Sequence, residues 1–205
     1  MRCRLVAGLM GLVLVTGCGR TDVPATTPPT EAAQAAPARP DDIVDSAITP
    51  AESLRRFKQG LTEPTALVGG YRTREALVRA FFRAVETSDT TALRRMLVTP
   101  AEFAWYYYPN APVSQVPYEL PAALAWFQIQ GESNKGITKL FNDWGGKPLG
   151  YVSHTCTPRD EGPNRIHAYC VESVRLKGEQ GQAKLFGLIL EVNGDFKFLS
   201  YANAL

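Results

Sequence analysis

The chain is poor in the residues and motifs that announce chemistry. Its 205 residues hold two histidines and four cysteines. It has no Walker A loop, no G-x-G-x-x-G, no H-E-x-x-H, no G-x-S-x-G and no EF-hand loop, so the usual nucleotide, zinc-protease, α/β-hydrolase and calcium signatures are missing. It lacks a charge excess of either sign, with 22 basic and 20 acidic residues. A balanced surface makes no electrostatic case for nucleic acid, which wants a basic stripe. The apolar run at the start, Leu5 to Val15, falls short of the roughly 20 residues a membrane-spanning helix takes.

What the start does contain is an address. Arg2 and Arg4 precede the apolar run, and small residues follow it, the pattern of a secretory signal peptide. Val15-Thr16-Gly17-Cys18 resembles the lipobox of bacterial lipoproteins. That resemblance implies cleavage after residue 17 and lipidation of Cys18 with diacylglyceryl and acyl chains, several chains anchoring where one would be marginal. Gly19, standing where an Asp would retain a lipoprotein in the inner membrane, points to the outer membrane facing the periplasm. Removal of residues 1–17 takes Arg2 and Arg4 and no acid, leaving 20 charges of each sign. Cys3 leaves with the signal, and the exported domain keeps two thiols, Cys156 and Cys170, in an oxidising compartment.

Residues 18–48 are rich in Pro, Thr and Ala, with Val23, Ile43 and Val44 the only bulky apolar side chains before residue 48. Such a segment cannot bury a core and reads as a disordered tether. As a flexible coil of about 30 residues it would span roughly 30 Å. Residues 49–205 suit one domain.

That domain divides by period. "TPAE" occurs at 49–52 and again at 99–102, each a capping box with Pro at the first helical position. Helices are expected over "AESLRRFKQ", over "YRTREALVRAFFRAVETSD" with Leu77, Phe81 and Ala84 in line, over "TTALRRML", over "AEFAWYYYP", and from Ala122 to Trp144, where Gly145 and Gly146 stop the run. Beyond them the period becomes two. Four strands are expected near 149–157, 166–176, 183–192 and 195–202, the last two joined through Asn193-Gly194. Helices followed by a meander predict an α+β fold, with the helices on one face of a curved four-stranded antiparallel sheet.

"REALVRAFFRAVETSDTTALRRML" followed by "LFGLILEVNGDFKFLSYAN" resembles the first helices and last strands of an NTF2-like domain, over residues 72–202. The resemblance implies a cone of bent sheet and helices around an apolar cavity. That superfamily contains isomerases, dehydratases and many non-catalytic binding modules, so the fold alone decides no function.

Both histidines lie in "YVSHTCTPRDEGPNRIHAYC", residues 151–170, as H-x-C and H-x-x-C. Four N/S ligands so close suggest zinc. Strand parity argues against it. With a turn centred near Pro163, Cys156 lies opposite Cys170, while His167, three residues from Cys170, should face the other way unless the strand bulges. A Cys156–Cys170 disulfide is therefore expected in place of a metal site, and an oxidised sulfur is no nucleophile. The same pairing puts Glu172 opposite His154. The two could form a general base and its orienting carboxylate in such a cone. The plainer reading, which we prefer, is a satisfied histidine bonded to Glu172. Ser153 and His154 point to opposite faces and are no pair.

Trp105, Tyr106, Tyr107, Tyr108, Trp126 and Phe127 concentrate large rings in the helical half, and Tyr151 opens the first strand. Successive helical residues differ by about 100°, so these rings cannot all face one core, and some should reach a pocket or the surface. The leading expectation is a lipid-anchored envelope protein whose domain is a non-catalytic binding or interaction module. The alternatives are a small hydrolase or isomerase using His154 with Glu172, and a structural envelope component. Expected partners are the membrane, through the N-terminal lipid, and an envelope protein, a glycan or a small apolar ligand. No cofactor or metal is expected.

Overall fold

A computed structural model describes residues 48–176 and 178–202. Residues 1–47, on which the expected signal peptide, the expected lipidation at Cys18 and all of the expected tether but Ile48 fall, lie outside the described residues. The described residues all belong to one compact unit, Asp45–Leu205.

Helices come first, and all but the last α-helix are begun by a side-chain cap. Thr49, Thr73 and Asp89 accept from the third backbone N–H of α1 (Pro50–Phe57), α2 (Arg74–Glu86) and α3 (Thr90–Met96). The repeated "TPAE" behaves differently at its two sites. At α1 the Glu52 carboxylate turns to Arg55 and Arg56, and only half of the box forms. At α4 (Pro100–Glu102) the box closes, and Glu102 also receives Val68 N–H at 2.6 Å and the Lys197 ammonium at 2.8 Å. Both charges are buried, so each is the other's compensation. After one turn α4 widens into a π-helical stretch over Phe103–Tyr107, then tightens over Tyr108–Asn110. Residues 122–144 form one helix, α5 (Ala122–Trp144), ending at Gly145.

The α+β class holds, and the sheet is antiparallel, but it has five strands where four were expected. They are β1 (Tyr151–Glu161), β2 (Asn164–Leu176), β3 (Glu179–Ala183), β4 (Ile189–Val192) and β5 (Asp195–Phe198). The expected third strand, 183–192, is split. Residues 179–183 pair with the end of β2 and residues 189–191 with its beginning, and the segment between them pairs with neither end. The Leu188 carbonyl instead accepts from the backbone N–H groups of Leu199 and Ser200. The Asn193-Gly194 hairpin forms as expected, with φ of 50° and 80°, the left-handed pair of a type I′ turn.

A second expectation also fails: the helices do not keep to one face. Along β4 and β5 successive residues enter different cores. Ile189 and Phe198 pack with Leu77, Phe81 and Leu93 of α2 and α3. Leu190, Val192 and Leu199 pack with Phe103, Tyr108 and Ala125 of the aromatic block and α5. Strands apolar on both sides need a cover on both sides, which the aromatic block supplies. On the α2 side Phe81, Phe186, Phe198 and Tyr201 fill the space against the sheet, with ring centroids 4.8 to 5.6 Å apart.

Candidate functional site

The hairpin of β1 and β2 turns through Gly162 and Pro163, so Glu161 pairs with Asn164. That centre would leave Cys156 out of step with Cys170. A bulge restores the register: Thr157 pairs with Ala168 but Thr155 with Val171, so Tyr169 and Cys170 together oppose Cys156. Tyr169 takes a positive φ of 52° and is 79 % exposed. The expected disulfide is present between Cys156 and Cys170, with a Cα separation of 4.1 Å. Such a bond suits an oxidising, exported compartment.

The same bulge overturns the expectation for His167. One extra residue flips parity, so His167 shares the face of Cys170. A second irregularity, at Val152 between the Tyr151–Val174 and Ser153–Ser173 pairs, does the same for Tyr151 and His154. Two bulges thus gather Tyr151, His154 and His167 on one face, beneath the first turn of α2.

Arg74 stands there at the start of α2. Its Nε donates to His154 Nε2 at 2.9 Å and its Nη1 to His167 Nδ1 at 2.8 Å. A guanidinium has no lone pair to offer, so both ring nitrogens must accept and both imidazoles are neutral. Each ring then carries its proton on the other nitrogen. His154 Nδ1 lies 2.8 Å from the Tyr151 hydroxyl, which donates to Glu75 at 2.7 Å. His167 Nε2 lies 2.7 Å from Glu191. The result is a relay: Glu191, His167, Arg74, His154, Tyr151, Glu75. Burial pushes both histidine pKa values down and Arg74 pushes the same way, against Glu75 at His154 and Glu191 at His167. Burial, then the bond to Glu75, raises the Tyr151 hydroxyl well above its ordinary value. The His154 side chain is 3 % exposed.

Glu172 does sit opposite His154 in register. Its carboxylate, however, accepts from Leu185 N–H at 2.8 Å, taking up a backbone donor of the segment between β3 and β4. The hydrogen bonds of His154 go to Arg74 and Tyr151. Glu172 is fully buried, its other oxygen has no hydrogen-bond partner among the described residues, and burial raises its pKa to about 7.

The aromatic block resolves into three roles. Tyr107 and Tyr108 are buried, Tyr108 donating to Leu120 O, and burial pushes the Tyr107 pKa up to about 12. Tyr106 donates to Pro64 O, and Trp105 lies under the Lys58 ammonium at 4.2 Å. Trp126 packs edgewise on Phe57 and against Phe103. It also lines a groove of about 760 Å³ between α3, residues 97–100 and α5, together with Arg94, Leu97, Gln130, Asn134 and Ile137. Phe127, the next residue on α5, is 72 % exposed.

No family model, curated protein or solved structure matches the chain.

Sequence reasoning had singled out His154, Tyr151 and Glu172 but not Arg74, Glu75 or Glu191, which hold the histidines. Arg74 is 80 residues from His154, and no local pattern ties the two. The two bulges are equally silent in the sequence, since Val152 and Tyr169 are ordinary strand residues. Among the described residues no three His, Cys, Asp or Glu side chains are grouped to hold a metal ion.

Proposed function

We propose that the protein is an exported, lipid-anchored envelope protein whose domain is a non-catalytic interaction module working through the α3–α5 groove. The observation that carries this reading is the groove itself, where the Trp126 ring meets side-chain amides that have no partner among the described residues. The basic start, apolar run and Cys18 support the anchor, with Gly19 favouring the outer membrane. Element order, helices and then a meander, supports an NTF2-like fold whose interior is filled by rings.

The enzyme reading has less support. A general base needs a free lone pair and access, whereas His154 Nε2 already accepts from Arg74 in a site closed to solvent. A photocrosslinking amino acid placed at Phe127 of the full-length chain in its own cells tests the module. Adducts should form at 127 and not at Gln180 on β3; an absence at 127, or equal yield at both, contradicts it.

A further inference from the structure

We infer that the α3–α5 groove binds an acidic, N-acetylated saccharide. The inference rests on the interaction-module reading and adds the chemical class of the ligand.

On α5, Trp126, Gln130 and Asn134 recur every four residues, so they stand above one another on one face of the helix. Trp126 is held by ring contacts to Phe57 and Phe103 at 6.4 and 5.1 Å, so its plane is set before any ligand arrives. A fixed indole, apolar on its face and wet at its edge, suits the C–H face of a sugar ring. The side-chain amides of Gln130 and Asn134 make no hydrogen bond within the described protein, so each offers both a donor and an acceptor. An acetamido group presents the complementary N–H and C=O, and its methyl has Leu97 and Ile137 to rest on. Arg94 is the one charged side chain lining the groove, and it has no ion-pair partner among the described residues. A lone guanidinium facing amides and no carboxylate selects an acidic substituent and gives a cationic ligand nothing to bind. A long acyl chain would leave the amides unpaired.

The mature, lipidated chain is incubated with protein-free peptidoglycan sacculi and with cross-linked dextran, and bound protein is measured by sedimentation. Binding to the sacculi is expected, and none to the neutral dextran. The Gln130→Ala/Asn134→Ala variant, altered only at side chains with no bond among the described residues, should bind about tenfold more weakly at an unchanged melting temperature. Arg94→Ala should bind more weakly and lose the salt dependence. No binding to sacculi, equal binding to dextran, or undiminished binding by the double variant overturns the inference. If sacculi fail while position 127 still captures a partner in cells, only the ligand class is wrong. If position 127 also captures nothing, the module reading falls with it.

Discussion

The guanidinium of Arg74 donates from Nε to His154 Nε2 at 2.9 Å, and that bond settles the state of the histidine. A protonated imidazole has no lone pair to accept with, so the bond and the charge on His154 exclude each other. The same holds at His167.

Acid should therefore weaken the fold at the histidines, and the sign can be worked out. Both have folded pKa values lowered from 6.5. Below pH 6.5 the unfolded chain takes up protons that the fold refuses, so their stabilisation is complete above pH 6.5 and is lost as pH falls through the folded values. Glu172 acts oppositely: its pKa is raised from 4.5 to about 7, so between those values the fold binds the proton more tightly and gains stability as pH falls. The two trends cancel in part in the natural chain. In Glu172→Gln the melting temperature should drop more steeply from pH 7 to pH 5 than in the natural chain. At pH 8 this variant should be more stable by about 2 kcal/mol, having lost a buried charge. Parallel pH profiles for the two proteins would contradict the assignment.

Removing the cation should free the histidines. In Arg74→Leu two charge-assisted bonds disappear and two buried ring nitrogens are left without a donor, a loss of about 3 kcal/mol by thermal or urea unfolding. Both histidine pKa values should rise, because Arg74 holds each of them down. An NMR titration that finds them unmoved would show that Arg74 is not their partner.

Tyr169 tests the bulge. Tyr169→Gly relieves a positive φ at an exposed site and should stabilise by about 0.5 to 1 kcal/mol. Deletion of Tyr169 removes only the extra residue, which sets Cys170 directly opposite Cys156 and keeps the pairs on either side, Thr157–Ala168 and Thr155–Val171. The denatured, unreduced deletion variant should therefore show no reactive thiol, like Tyr169→Gly, and two thiols in it would contradict the bulge.

The disulfide closes a loop of about 15 residues, so Cys156→Ala/Cys170→Ala should lose about 3 kcal/mol. A variant that melts with the natural protein would mean that the hairpin keeps its register without the crosslink.

Local chemistry was legible in the sequence. The caps at Thr49 and Thr99, the stop at Gly145 and the Asn193-Gly194 turn all depend on residues close in sequence, and the Cys156–Cys170 pairing was legible too, although a bulge completes it. Alternation was also where the reading failed. It assumes unbroken strands, and a single bulged residue reverses it, which misplaced His167. The split between β3 and β4 escaped for a related reason: Glu172 replaces a backbone acceptor, and nothing in "AKLFGLILEV" marks where pairing lapses. The second helical layer was hidden because an apolar β4 reads the same whether one face or both are covered.

The groove carries the proposed function only if the histidines are fixed parts of the fold. Imidazole ¹⁵N NMR of the protein at pH 7 tests this most directly. The account predicts two neutral rings, His154 protonated on Nδ1 and His167 on Nε2, neither exchanging quickly with water. An imidazolium at pH 7, or a His154 ring protonated on Nε2, would contradict it and return His154 to the list of catalytic candidates.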